Sequence, residues 1–134
     1  MLSFDQTADL LDEIAAVFPP VLFDGLNGGV NLQEDALPDP EFPGEDIYIL
    51  GEYCDDLLGH YINLYYGSFA ALAVLEAWTP EDWRRELRQT LSHELTHHME
   101  ARAGLHALDD KDAAELAAWR EEFSQEASGD EEPR

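Results

Sequence analysis

The sequence predicts an α+β fold in which one long helix packs against a small sheet, and three observations carry that expectation. Thr79 to Gly104 reads as a continuous amphipathic helix, Ile47–Leu50 and His60–Tyr66 read as strands, and the chain opens on a shorter helix closed by two prolines. At 134 residues the chain forms one domain, large enough to bury a core without disulfides. That domain is expected to span residues 1–123, with the acidic residues 124–134 left as a fraying tail.

Taken in order, Thr7 to Phe18 places apolar residues at 10, 11, 14, 15, 17 and 18, a short amphipathic helix stopped by Pro19-Pro20. Val21 to Leu32 mixes apolar residues with Gly25, Gly28 and Gly29, which predicts strand pieces around tight turns. Glu34 to Asp46, rich in proline and acids, reads as a loop. Ile47–Leu50 and His60–Tyr66 are β-branched and aromatic and read as strands, with Gly51 to Gly59 as a hairpin-like connection. Ser68 to Trp78 reads either as a helix or as a loop flanking a helical turn. Beyond Gly104 a further helix is expected from Asp110 or Lys111 to about Phe123.

The long helix is the best defined element. Thr79 stands at its N-cap, Pro80 at its first position, Glu81 and Asp82 in its first turn, and Gly104 at its stop. Leu87, Leu91, Leu95 and Met99 recur every fourth residue as an apolar stripe. On the opposite face lies His93-Glu94-Leu95-Thr96-His97. At about 100° per residue, His93 and His97 fall about 40° apart and one turn apart along the axis, so both imidazoles can grip one ion. Glu94 lies about 60° from His97 on the same side. Zinc with three protein ligands keeps an open position and lowers the pKa of its bound water from about 15.7 to about 7, and a neighbouring carboxylate can then take the proton. Glu94 is therefore the candidate general base. Because the metal face is opposite the core face, a second layer is expected to cover it in part and form a cleft.

Two histidines do not complete such a site. Glu100, His106, Asp109, Asp110 and Asp112 are the candidates for a third ligand. Glu100 lies a turn beyond His97, which favours holding a histidine N–H over direct coordination. His98, four residues after Glu94, is placed either to orient it or simply to pack. Of Tyr65 and Tyr66, which alternate along a strand, one is expected in the core and the other at the cleft, where a hydroxyl could serve an oxyanion. Arg88 and Arg102 read as pairing or snorkelling residues, His60 has no visible partner, and Cys54 reads as inert.

Composition narrows the function. Thirty acidic residues against seven basic give a formal charge of −23, which repels nucleic acid and anionic lipid. The charge reads first as solubility and second as attraction for cationic peptides. A single cysteine excludes an internal disulfide, and neither a secretory leader nor a membrane span is visible, so a cytoplasmic protein is expected. Oligomeric state cannot be read from this pattern.

Several blocks in order resemble the small bacterial zincin-like metallopeptidases, or minimal metalloproteases, in their branch with an extended histidine motif. They are Leu26–Val30, Ile47–Tyr53, Tyr65–Phe69 and Leu91–Glu100 with Ala103-Gly104. The resemblance implies a minimal zincin-like fold, a small mixed sheet packed on the active-site helix with flanking helices, together with zinc and peptidase activity. The family's better-defined branch carries a Gly three residues after the second His and an Asp three further on. Here Glu100 stands in place of that Gly and Leu105 to Lys111 lengthens the turn, so the third ligand does not transfer by spacing. Asp112, in Asp112-x-x-x-Leu116, matches the block after the ligand turn and is carried over as that ligand.

The expected function is therefore zinc-dependent peptide-bond hydrolysis, with His93, His97 and Asp112 as ligands and Glu94 as base. The substrate would be a peptide or protein, added as an extended strand along an exposed edge around residues 60–66. The competing class is a non-catalytic zinc-binding or peptide-binding regulatory domain with a closed site.

Overall fold

A computed structural model of the chain describes residues 1–104 and Ala118. The element order is α1 (Phe4–Ala16), a 3-10 turn (Pro20–Phe23), β1 (Gly29–Gln33), β2 (Leu37–Pro38), β3 (Tyr48–Ile49), β4 (Gly51–Asp56), β5 (Gly59–Tyr65), α2 (Tyr66–Glu76) and α3 (Pro80–Gly104). The fold is α+β with a small mixed sheet, as the sequence predicts. The helix expected at 110–123 and the tail at 124–134 lie outside the described residues.

The first helix begins three residues earlier than its apolar spacing indicates because Ser3 caps it. The Ser3 hydroxyl accepts from the Gln6 backbone and the Gln6 side chain accepts from the Ser3 backbone, a reciprocal capping box. α1 ends before Pro19-Pro20, and the following 3-10 turn replaces the first of the strand pieces expected there. α3 starts where expected. The Thr79 hydroxyl accepts from the Asp82 N–H at 3.2 Å while the Asp82 carboxylate accepts from the Thr79 N–H at 2.9 Å. We expect Thr79→Ala to cost about 1 kcal/mol in a urea titration, with no change in the midpoint's dependence on zinc.

Three strands form the main sheet in the order β1-β5-β4, with β1 parallel and β4 antiparallel to β5. A two-residue antiparallel ladder of β2 and β3 stands apart from it. Two sequence expectations change here. Gly51–Asp56 is a strand and not a connection, and its turn is only Leu57-Leu58, closed by Gly59 at a φ of +107° that favours glycine. The strand 60–66 is central and has no exposed edge, because β1 and β4 pair with its two sides. The edge on the α3 side belongs to β4.

The sheet's two faces differ in chemistry because side chains alternate along each strand. Val30, Leu32, Ile62 and Leu64 form the inner face, with Ile62 and Leu64 fully buried. Asn31, Asn63, Tyr61, Tyr65, Glu52 and Cys54 share the other, half-exposed face. α3 packs against β4, β5 and α1 through the expected stripe. Leu87, Leu91 and Leu95 are 0% exposed and Met99 is 3% exposed. At about 1.5–3 kcal/mol per fully buried side chain, this stripe is the principal attachment of the motif helix. α2 is a helix throughout, apolar all round and closed by Ala77 at a positive φ of 52°.

Candidate metal centre

Since the stripe holds α3 against the core, the residues on its other side are placed by the helix alone. His93 and His97 are exposed, with ring centres 4.8 Å apart and planes at 87°. A zinc–nitrogen bond is about 2.0–2.1 Å, so two ring centres less than about 6 Å apart can share one ion. The pair fits that requirement. Between them in sequence, Glu94 points inward and is only 7% exposed.

Glu94 is buried because β4 lies over it. Gly51 permits that approach: a Cβ there would stand 2.8 Å from Leu64 Cδ2 and 2.9 Å from Thr90 Cγ2, the latter on α3. The N–H of Tyr53, two residues on, is directed toward the Glu94 carboxylate and draws its pKa down. The direction follows from the ladder. Tyr65 N–H donates to Leu50 C=O, so the even-numbered residues of β4 bond to β5 and Gly51, Tyr53 and Asp55 direct their backbone groups to the edge.

Burial is the largest influence on Glu94 and pushes its pKa above the ordinary carboxylate value. His93, His97 and the Tyr53 N–H pull it down, and Glu52 adds a smaller upward push. A carboxyl moved toward neutrality by its surroundings is a better proton acceptor when ionised, which is the property a general base needs.

His98 is neither solvated nor bonded to Glu94. It is 1% exposed, its Nε2 lies 2.6 Å from the Asp24 carbonyl oxygen and its Nδ1 lies 2.9 Å from the Tyr53 hydroxyl. Burial lowers its pKa, which keeps the ring neutral. A carbonyl only accepts, so Nε2–H donates to Asp24 and Nδ1 accepts the Tyr53 proton. The phenol oxygen then accepts from His60 Nδ1 at 2.7 Å. His60, which has no partner visible in sequence, thus has two: Tyr53 and, at 3.6 Å, the Asp55 carboxylate.

The remaining candidates fall elsewhere. Tyr65 donates to Glu52 at 2.5 Å on the sheet's outer face, and burial pushes its pKa up to about 12. Tyr66 opens α2, donates to the Leu2 carbonyl and stacks on Trp83. Tyr66 thus takes the packed position expected of one of the pair, while Tyr65 faces the outer side of the sheet; the Tyr53 phenol, on β4, lies between His60 and His98. Arg102 donates to the Val21 carbonyl and Arg88 lies 5.6 Å over the Phe18 ring, the packing roles expected of them. Burial raises the Cys54 thiol pKa, as befits an inert cysteine.

Among the described residues, no group of three His, Cys, Asp or Glu side chains is placed to hold a metal ion. Glu100 is exposed. Asp112, His106, Asp109 and Asp110 lie outside the described residues, so of the candidate ligands the described residues bring together only His93 and His97.

No family model and no curated protein matches the chain. A solved structure does: a conserved hypothetical protein from T. thermophilus is 33% identical, with a TM-score of 0.65, over 76% of this chain and 98% of the other. The chain belongs to that protein's family. The shared architecture covers nearly the whole of the thermophile protein, so the sheet and helices described above constitute the family's domain. No helix among the described residues is long and apolar enough to cross a membrane.

Tyr53 is the functional candidate that sequence reasoning missed. The resemblance block Ile47–Tyr53 ends on it, and that was its one signal. Its strand, with one glycine and three acids in six residues, does not read as a strand.

Proposed function

We propose that the protein is a zinc-dependent peptide hydrolase in which Glu94 is the general base. One observation carries the reading: a buried carboxylate with a raised pKa stands beside two exposed imidazoles close enough to share an ion, all on one turn of α3. His93 and His97 would hold the zinc, with Asp112 carried over as the third ligand from the resemblance to minimal zincin-like metallopeptidases. Bound there, zinc supplies Lewis-acid polarisation of the scissile carbonyl and an acidified water. Glu94 takes the proton from the attacking water and passes it to the leaving amine. The Tyr53 N–H holds the carboxylate in place while this happens.

In this reading the substrate lies as an added strand along β4, whose outward backbone groups at Gly51 and Asp55 flank the one that holds Glu94. The net charge of −23 disfavours nucleic acid as a substrate. A lone cysteine is compatible with work in the cytoplasm.

Metal analysis joined to peptide-library cleavage tests the proposal. Wild-type protein should hold one zinc and cleave peptides, while His93→Ala and His97→Ala should each lose at least about 100-fold in zinc affinity and all measurable cleavage. Substoichiometric zinc in the wild type, or cleavage that survives loss of either histidine, would overturn it. Stoichiometric zinc without cleavage would point to the regulatory class.

A further inference from the structure

Glu94 and His98 are one helical turn apart on α3, and both reach the same residue of β4 from its two ends. The ladder directs the Tyr53 backbone N–H to the edge on the α3 side, toward the Glu94 carboxylate, and the Tyr53 hydroxyl donates to His98 Nδ1 at 2.9 Å. His98 cannot turn, because its other ring nitrogen is tied to the Asp24 carbonyl at 2.6 Å. Nor can the phenol swing away freely, because His60 bonds it from the exposed side at 2.7 Å. The three rings also pack together, with Tyr53 5.4 Å from His98 and 6.2 Å from His60 between ring centres.

We propose that Tyr53 is the positioning residue of the site: its phenol, clamped between His98 and His60, fixes β4 over α3 so that its own N–H holds the Glu94 carboxylate in the orientation a base requires. The inference rests on the reading of Glu94 as that base. β4 is an edge strand with β5 on one side only, so the α3 side of its backbone has no ladder to hold it. The clamp replaces the missing ladder at one residue. Because the phenol and the N–H belong to the same residue, removing the hydroxyl should loosen a backbone bond that the substitution does not itself touch.

That separation makes the proposal testable without activity. In the full-length, zinc-free protein, the Tyr53 amide should exchange slowly with solvent. Glu94→Ala removes the acceptor and Tyr53→Phe removes the clamp, and each should accelerate that amide's exchange by about 10-fold. Tyr65→Phe, which removes a phenol from the sheet's outer face, should leave it within about 2-fold. His60→Ala, at a partly exposed position, is the milder second variant should Tyr53→Phe not fold, with an expected acceleration of about 3-fold. Unchanged exchange in Tyr53→Phe or His60→Ala, or equal acceleration in Tyr65→Phe, would overturn the clamp.

Kinetics supply the second readout. A displacement of about 1 Å at a reacting group costs about 100-fold, so a partly loosened base in zinc-loaded Tyr53→Phe should lose about 10-fold in kcat with KM held within about 2-fold. A rise in KM at constant kcat would assign Tyr53 to substrate binding and overturn the positioning role. If the wild type cleaves no peptide, the hydrolase reading falls and the exchange result alone decides whether Tyr53 holds Glu94.

Discussion

Glu94→Gln is expected to lower kcat for peptide cleavage by about 10²–10⁴-fold while leaving zinc content unchanged. Gln keeps the shape of the side chain and can still accept the Tyr53 N–H bond, but it cannot take a proton. The same variant should be more stable than wild type when zinc is absent. Burial raises the pKa of Glu94, so the folded protein binds that proton more tightly than the unfolded chain does. The stabilisation this provides is complete below the ordinary Glu value of about 4.3 and is lost as pH rises through the raised folded value. At neutral pH the ionised, 7%-exposed carboxylate is therefore a cost that Gln removes. Thermal unfolding in chelator should show a higher midpoint for Glu94→Gln at pH 8, with the difference shrinking toward pH 4–5. A lower midpoint at pH 8, or a difference that does not change with pH, would show that burial is not what governs Glu94. On the proposed reading, Glu94 gives up stability for reactivity, the usual relation between active sites and their scaffolds.

Leu91→Ala is expected to carry the largest cost in stability, about 2–5 kcal/mol. Leu91 is fully buried at the middle of the stripe, one turn from Leu87 and one from Leu95, and nothing on a 25-residue helix can collapse easily into the space it would leave. Against a total stability of about 5–15 kcal/mol for a domain of this kind, that loss leaves a substantial unfolded fraction. Val74→Ala, by contrast, truncates a side chain that is 71% exposed and should change stability by less than about 0.5 kcal/mol. Urea titrations of both, in chelator, give the comparison. An effect of Leu91→Ala no larger than that of Val74→Ala would mean that the stripe does not hold α3. Leu91 and Glu94 thus have separable roles on one helix: Leu91 attaches it, and Glu94 uses the attachment.

Legibility of the fold differed between its elements for identifiable reasons. α3 was legible because its signals are all local: a cap, a proline and an apolar residue at every fourth position. β5 was legible because a central strand is rich in β-branched and aromatic residues. β4 was not, because an edge strand with one polar face and a close helix carries Gly51, Glu52, Asp55 and Asp56, residues that read as a connection. α2 was ambiguous because it is apolar all round, which erases the period that distinguishes helix from loop. The assignment of the exposed edge to residues 60–66 failed for a topological reason. β1 returns in parallel to the side of β5 that a hairpin alone would have left open.

The motif's two histidines and its carboxylate follow from the sequence alone, since their relative placement depends only on helical geometry over five residues. So does the separation of the two exposed histidines from the buried apolar stripe. What surrounds Glu94 was decided only by the tertiary structure. Tyr53 and His98 meet across 45 residues of sequence, and His98 and Asp24 across 74. Contacts at such separations leave no period in the chain; they arise when burial of the α3 stripe brings β4 down onto the same helix.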